Sequence, residues 1–226
     1  MEIFRTTGKR DSELAEAERL AREYGVSYRA LSREELAKEE PHIRGDFVGG
    51  LKWNDPWSVT NPYGLTQAYL SYFQSLGGRF VKGDAMSLET GASGKGWRVK
   101  TDDGMVEGDD VVLALGPWSE EVTRKFGYRF LLGVKRGYHM HYAPEGNAVL
   151  NNWTMDAERG YFLAPMEKGI RLTTGAEFAN RDAPKSPVQL ARAEKVAREI
   201  FPLAERLEQG QADQGNVISF KKPASA

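Results

Sequence analysis

The sequence predicts an α+β protein in which an antiparallel sheet is flanked by helices and is joined to the remnant of an α/β domain. Three observations support this class. Helices with clear start and stop signals occur near both ends, short β segments separated by turn residues follow one another in the second half, and one apolar strand runs directly into a glycine turn and a helix. With 226 residues, 40% of them hydrophobic, the chain can bury one large core or two small ones.

Apolar residues at helical spacing, with start and stop residues around them, predict the helices. The clearest helix begins at Asn61 as the N-cap, with Pro62 in the first helical position. Ser32 and Glu35 have the spacing of a capping box. The predicted helices cover residues 11–25, 32–41, 62–76 and 119–126, and a last one runs from 186 to Pro202.

Short apolar runs between turn residues predict the strands. Those before residue 120 are 47–53, 79–82, 85–89, 97–101 and 111–115, and those after it are 134–142, 148–150, 160–164 and 170–175. The change of pattern along the chain predicts two domains. Residues 1–60 and 128–207 form one around the antiparallel sheet, residues 61–127 form the other, and residues 208–226 are an irregular tail.

Composition argues against several classes of function. Lys and Arg number 31 against 32 Asp and Glu, so the formal charge of -1 gives no field that would attract nucleic acid or an anionic membrane. The chain has no cysteine, which excludes disulfides, thiolate catalysis and cysteine-based zinc sites. No apolar run reaches the ~20 residues of a membrane span, and the N-terminus is too polar for a signal peptide. These features predict a soluble cytoplasmic protein.

The segment DDVVLALGPWSEE, residues 109–121, carries the clearest functional pattern. Val111 to Leu115 have the composition of a buried strand, a turn begins at Gly116, and a helix follows. A strand, a glycine turn and a helix in this order present backbone N–H groups to a nucleotide in open α/β sheets. Gly116 and Trp118 are therefore candidates for lining a cofactor, and a tight turn with a core tryptophan is the alternative interpretation.

The stretch from residue 138 to 142 alternates between two kinds of side chain. On a strand, Tyr138, Met140 and Tyr142 share one face while His139 and His141 share the other. Two histidines on one face form half of a metal site, but the chain has only three histidines and no cysteine, so no metal is predicted. The histidines are interpreted as hydrogen-bonded strand residues, and the Tyr/Met face as either a substrate wall or core.

Three arginines of the second half are candidates for binding a carboxylate, because guanidinium holds a carboxylate through two parallel hydrogen bonds. They are Arg136, Arg159 and Arg171, and surface salt bridges are the alternative for each. Tyr161 is a further candidate, since a tyrosine hydroxyl in an apolar pocket can orient and donate to a ligand. Residues 54–61, which include Trp57, form either a substrate-entry loop or an ordinary connection. No Ser/His/Asp arrangement indicates a hydrolase.

The order of several segments resembles that of a known family. The helix over 62–76 leads into GGRFVKGDAMSLE, then into WRVKTDDGMVEGDDVVLALGPWS, and GVKRGYHMHY and RGYFLAPMEKGIRLTTGAEF follow ahead of the last helix. In this order the chain resembles the flavin-dependent D-amino-acid dehydrogenase, glycine oxidase and sarcosine oxidase family, up to about Leu207. The resemblance implies FAD between a dinucleotide-binding domain and an antiparallel substrate sheet. It also implies oxidation of D-amino acids or related amines by hydride transfer to the flavin.

The resemblance assigns residues to both sides of such a site. Residues 61–127 would be a partial FAD-binding domain, in which the cofactor-binding candidates are Ala85, Ala114, Gly116 and Trp118. The antiparallel sheet would cover the flavin, and the substrate-side candidates on it are Tyr138, Met140, Tyr161 and Arg171. No catalytic residue is assigned, because hydride transfer from a neutral amine requires no general base.

Two features of the family are missing from this sequence. The family begins with G-x-G-x-x-G between a strand and a helix, and here GASGKG at 91–96 has the wrong spacing. The family's Trp-x-Gly-x-Arg-Pro segment is replaced by GQADQGNVISFKKPASA. We therefore expect the middle portion of such an enzyme, inactive and weak in FAD retention by itself.

Two other classes of function compete with this expectation. One is a non-catalytic module that binds a small ligand or a protein, with an apolar face where the missing lobe would dock and through which it would dimerise. The other is a nicotinamide-binding protein, which the missing glycine motif disfavours as strongly as it disfavours FAD.

Overall fold

The computed structural model describes residues 1–130 and 132–207, which fall into two compact units. Within the described residues, unit 1 comprises 1–61, 136–177 and 182–207, and unit 2 comprises 62–130, 132–135 and 178–181. The tail predicted at 208–226 lies outside the described residues. No helix in the described ranges is long and apolar enough to cross a membrane.

Helices and strands alternate irregularly along the chain. The helices are α1 (Thr7–Tyr24), α2 (Arg33–Glu39), α3 (Pro62–Ser75), α4 (Ser119–Thr123) and α5 (Val188–Ile200). The strands are β1 (Glu2–Phe4), β2 (Tyr28–Leu31), β3 (Gly49–Trp53), β4 (Glu89–Thr90), β5 (Trp97–Thr101), β6 (Gly104–Gly108), β7 (Lys135–Pro144), β8 (Thr154–Asp156), β9 (Tyr161–Met166), β10 (Gly169–Phe178) and β11 (Leu203–Arg206).

Unit 1 is built on an eight-stranded sheet in the order β11-β7-β10-β9-β8-β1-β3-β2. β1 and β8 pair in parallel, whereas β1 with β3, β2 with β3, β8 with β9, β9 with β10 and β7 with β11 pair antiparallel. The predicted fold class, an α+β protein with an antiparallel sheet flanked by helices, is confirmed.

Two helices of unit 1, α1 and α2, begin at side chains that bind their first N–H groups, whereas α5 begins after Pro187 without a side-chain cap. The Thr6 hydroxyl accepts from the Lys9 backbone N–H, and Gly25, with a φ of 69°, ends α1 in the left-handed region. In α2 both hydrogen bonds of the predicted capping box between Ser32 and Glu35 are present.

The core of unit 1 lies on the side of the sheet that α2 and α5 cover. Strand residues such as Tyr142, Leu163 and Leu172 contact α5 residues such as Ala197 and Ile200 in one buried cluster. Burying a leucine or isoleucine side chain stabilises a fold by roughly 1.5–3 kcal/mol. A second, smaller cluster consists of Phe4, Ala17 and Leu51, which brings α1 against β1 and β3.

A buried ion pair joins β1 to β8 in the middle of this sheet. The Arg5 guanidinium donates to the Asp156 carboxylate at 2.7 and 3.0 Å, and the Asp156 side chain is fully buried. The Glu158 carboxylate accepts from the backbone N–H groups of Arg5 and Thr6, both at 3.0 Å. These bonds fix the start of α1 relative to β8.

Unit 2 contains the three-stranded antiparallel sheet β4-β5-β6 together with α3 and α4. Its longest helix, α3, has no buried residue. The apolar residues buried in the described part of unit 2 are Leu88 and Val122. The unit therefore has regular elements around a very small core.

The strand predicted at Val111–Leu115 is absent. These residues have no regular secondary structure, and the Val112 side chain is 88% exposed. A strand with this continuous apolar pattern needs hydrogen-bonded neighbours on both edges and a cover on both faces. No strand in the described residues pairs with it, so the apolar pattern alone does not produce a strand.

Three other predicted strands also differ from the structure. Residues 79–82 are irregular, and Ala85–Ser87 form a 3-10 turn that the Asp84 side chain caps by accepting from the Met86 N–H. Ala148 and Leu150 are buried, but the Ala148 N–H bonds to the Glu145 carbonyl in a turn rather than to another strand.

Candidate functional site

The two faces of the sheet in unit 1 differ in burial. In the register of β9 and β10, Tyr161 pairs with Thr174, whereas Phe162 pairs with Thr173. Paired residues of antiparallel strands point to the same face, and successive residues point to opposite faces. Tyr161 is 1% exposed and Phe162 is 37% exposed, so the face of Tyr161 is buried here and the face of Phe162 is partly accessible. We call these the core face and the second face.

Three of the predicted substrate-side residues lie on the core face. Tyr161 belongs to the buried cluster beneath α5, and Tyr138 and Met140 pack against the same cluster. The Tyr138 hydroxyl donates to Glu177 at 2.6 Å and accepts from the Ser186 N–H at 2.9 Å. These tyrosines therefore stabilise the packing of α5 on the sheet.

The fourth predicted substrate-side residue, Arg171, lies on the second face. It pairs with Ala164 in the register, two positions along from the pair of Phe162 and Thr173, and therefore on the same face. The structure therefore places Arg171 on the opposite face of the sheet from Tyr138, Met140 and Tyr161. It places Arg171 on the same face as Phe162 and Thr173, two residues that the sequence analysis did not single out.

The two strand histidines have the predicted relation to each other. The rings of His139 and His141 lie on the face opposite Tyr138 and Met140, edge to face, with their centroids 5.6 Å apart. Within the described ranges no group of three or more His, Cys, Asp or Glu residues is placed to hold a metal. The second face thus combines a guanidinium, an aromatic ring, a threonine hydroxyl and two imidazoles.

Arg136 does not have the geometry of a ligand clamp. Its guanidinium forms an ion pair with Glu177 at 2.5 Å and donates to the backbone carbonyls of Ala183 and Pro184. These bonds bind β7 and β10 to the segment that precedes α5. Arg136 therefore forms structural contacts within unit 1.

The loop over residues 54–61, interpreted above as either a substrate-entry loop or an ordinary connection, is tied to the turn between β9 and β10. The Asn61 side chain donates to the Glu167 carboxylate at 2.5 Å, and the Glu167 N–H donates to the Thr60 carbonyl at 3.1 Å. Trp57, in the same loop, is 98% exposed. The ends of the loop are therefore held in unit 1 while its tip presents an indole to solvent.

The cofactor-binding candidates lie in unit 2. Ala85 begins the capped 3-10 turn, and α4, which follows Gly116 and Trp118, packs against that turn. Gly116 has a φ of 54°, a conformation that favours glycine, and the Arg181 guanidinium lies 5.4 Å from the Trp118 ring centre. Ala114 is exposed in the irregular segment before Gly116.

The cofactor-binding candidates do not form the phosphate-binding part of a dinucleotide site. A pyrophosphate is held by N–H groups at the start of a helix that follows a strand and a glycine turn. Here the segment 111–115 is not a strand, and the helix after it, α4, has only 5 residues. A pyrophosphate cradle is thus lacking in the described part of the chain.

A family model described as FAD dependent oxidoreductase matches residues 2–217. D-amino acid dehydrogenase of Phenylobacterium zucineum is 31% identical over 207 residues, which cover 89% of this chain and 48% of the relative. D-amino-acid oxidase of Bradyrhizobium diazoefficiens is 25% identical, with 92% of this chain and 48% of the relative covered. The chain spans about half the length of these curated relatives.

Solved structures show the same fold. Glycine oxidase from Geobacillus kaustophilus superposes with a TM-score of 0.66 at 16% identity, over 89% of this chain and 53% of its own. The FAD-bound L-alpha-glycerophosphate oxidase from Mycoplasma pneumoniae gives a TM-score of 0.70 at 17% identity. The match covers 89% of this chain and 56% of the oxidase chain. The architecture described above is therefore that of FAD-dependent oxidoreductases.

Proposed function

Since the chain belongs to the family of FAD-dependent oxidoreductases, we propose that it supplies the substrate-binding part of an enzyme that oxidises D-amino acids or related amines. The names of its curated relatives, D-amino acid dehydrogenase and D-amino-acid oxidase, support this substrate class. The observation that carries the proposal is the composition of the second face, where Arg171 lies next to the paired Phe162 and Thr173.

Each residue of that group has a role that its chemistry suits. The Arg171 guanidinium binds the substrate carboxylate through two parallel hydrogen bonds. The Phe162 ring forms an apolar wall that excludes water from the reacting carbon, and the Thr173 hydroxyl is a hydrogen-bond partner for the amine. The hydride acceptor would be supplied by FAD if it is bound, and no residue of this chain is assigned to that step. The contribution of this chain is to bind and orient the amino acid.

The second candidate function is a non-catalytic module derived from such an enzyme. The lack of a pyrophosphate cradle in the described residues favours it, and so does the exposed apolar face of α3. The two candidates differ in whether the chain holds the cofactor. The visible absorption spectrum of the protein, recorded after incubation with excess FAD and gel filtration, separates them. Retained flavin absorption supports an FAD-binding chain, and a colourless protein favours the module.

Binding of the amino acid is tested without the cofactor. D-Alanine is titrated into the protein by isothermal calorimetry, with D-alaninamide, which has no carboxylate, as the matched ligand. Substitution Arg171→Gln should raise the Kd for D-alanine about tenfold or more, because it removes a charge-assisted hydrogen bond. Arg22→Gln, in the exposed part of α1, is the control. Equal affinities for the two ligands, or an unchanged Kd in Arg171→Gln, would contradict the assignment of Arg171.

A further inference from the structure

Unit 1 has a cavity on its core face, away from Arg171. It has a volume of about 260 Å³ and lies between α5 and the paired strands β9 and β10. Its lining residues are Arg159, Gly160, Tyr161, Thr174, Gly175, Gln189, Arg192, Ala193 and Val196. The roles proposed above use none of these residues.

Two arginine side chains line the cavity and are exposed to solvent. Arg159 and Arg192 are both exposed, and one precedes β9 while the other lies in the second turn of α5. Neither guanidinium forms an ion pair with a carboxylate of the described chain, although most of its other arginines do. Two unpaired guanidinium groups on one cavity attract an anion.

A buried hydroxyl lies on the inner side. Tyr161 is 1% exposed, and its hydroxyl makes no hydrogen bond of ordinary geometry. The charged groups that act on this hydroxyl, Asp156 and Arg5, are bonded to each other at 2.7 Å. Burial raises the pKa of Tyr161, so the hydroxyl is a neutral donor at neutral pH. A buried hydroxyl without a partner is unfavourable, and an occupant that accepts a hydrogen bond from it would offset that cost.

The remaining wall is partly apolar. Ala193 and Val196 of α5 are half-buried and pack against the core. Gln189 lies over Gly175, since a Cβ at that glycine would be 3.5 Å from the Gln189 amide oxygen. The lining of the cavity thus combines charged and amide side chains with the aliphatic side chains of Ala193 and Val196.

We propose that this cavity binds a small organic carboxylate, whose carboxylate contacts Arg159, Arg192 and the Tyr161 hydroxyl and whose short aliphatic part contacts Ala193 and Val196. A carboxylate matches the fork of a guanidinium and accepts from a phenol. The volume suits a molecule of only a few carbon atoms. The site lies on the opposite face of the sheet from Arg171, so its occupant is a second ligand rather than the amine that is oxidised.

The probe is butyrate, with butyramide as the uncharged control. Calorimetric titration should show saturable binding of butyrate and none of butyramide. Arg192→Gln and Tyr161→Phe should each raise the Kd about tenfold, because each removes a hydrogen bond to a charged group. Because Tyr161→Phe keeps the aromatic ring in the core, we expect this variant to stay folded. Its thermal unfolding curve, compared with that of the wild-type protein, tests that expectation. Arg22→Gln serves again as the surface control.

Three outcomes would overturn the proposal. They are the absence of saturable butyrate binding to the wild-type protein, equal binding of butyramide, and a Kd that neither variant changes. If butyrate binding is lost in Arg171→Gln instead, the ligand occupies the second face. That result would support the carboxylate role of Arg171 and reject the cavity, so the two proposals fail separately.

Discussion

Unit 1 buries the apolar faces of its helices and strands, whereas unit 2 leaves its longest helix without a buried residue. Helices α5 and α3 make the contrast clear, because they have similar lengths of 13 and 14 residues. α5 buries Leu190, Ala197 and Ile200 against the sheet, and in α3 the Tyr69 and Tyr72 side chains are 68% and 63% exposed. The start signals and the spacing of apolar residues suffice to form a helix, but they do not supply the surface that it packs against.

The largest expected effect is on the buried ion pair that holds unit 1 together. Asp156→Asn leaves the partly buried Arg5 guanidinium without its carboxylate and should reduce the free energy of unfolding by about 4 kcal/mol. Urea unfolding followed by far-UV circular dichroism measures this. The control is Glu16→Gln, which breaks an exposed pair with Arg19 and should leave the midpoint unchanged. A small loss in Asp156→Asn would mean that the centre of the sheet is less firmly held than its geometry indicates.

A matched pair of leucines tests the contrast between the units directly. Leu172 is fully buried in β10, and Leu172→Ala should reduce the free energy of unfolding by about 3 kcal/mol through lost burial and the cavity left behind. Leu65 in α3 is 44% exposed, and Leu65→Ala should change it by less than about 0.5 kcal/mol. Amide hydrogen exchange, read separately for each unit, distinguishes the two. A large loss in Leu65→Ala would show that the apolar face of α3 is covered in solution.

The smallest expected effect concerns a buried carboxylate in unit 1. Burial raises the pKa of Glu40, while hydrogen bonds from Asn151 and Asn152 oppose the shift. A raised folded pKa means that the folded state binds the proton more tightly than the unfolded state. The contribution of Glu40 to the free energy of unfolding therefore falls as the pH rises from the unfolded pKa through the folded one.

Comparison of the wild-type protein with Glu40→Gln isolates this contribution. Carboxylates with a lowered pKa change the free energy of unfolding with pH in the opposite direction. Glu39 is one of them, because Lys52 and Arg29 lower its pKa. Thermal unfolding of both proteins between mildly acidic and neutral pH gives the difference. We expect the wild-type protein to lose stability relative to the variant as the pH rises. A difference that grows in the other direction would mean that the hydrogen bonds to Glu40 outweigh its burial.

The sequence predicts those elements whose signals are local. The helix predicted at 62–76 is α3, Pro62–Ser75, and the strand predicted at 97–101 is β5. The capping box of α2 is present because both of its hydrogen bonds join residues three positions apart. In contrast, β1 and β11 have only 3 and 4 residues, and their pairing depends on strands far along the chain. No local pattern predicts them.

The candidate site shows a similar limit. The alternation from Tyr138 to His141 correctly predicts which side chains share a face. It does not predict which face α5 covers, because that depends on where a helix beginning some 50 residues later packs. The same alternation in β9 and β10 places Phe162 and Thr173 with Arg171, so the signal for these residues was present in the sequence.

The parallel pairing of β1 with β8 has a consequence for the order of folding. Glu2 lies opposite Met155, so the sheet of unit 1 brings together two segments separated by residues 62–135 of unit 2. Closing so long a loop carries an entropic cost before the central contacts form, and folds dominated by such distant pairings fold slowly. During synthesis β1 cannot pair with β8 until Asp156, the last residue of β8, has left the ribosome. Until then β1 lacks its parallel neighbour, and the edge that β8 will cover is exposed to other chains.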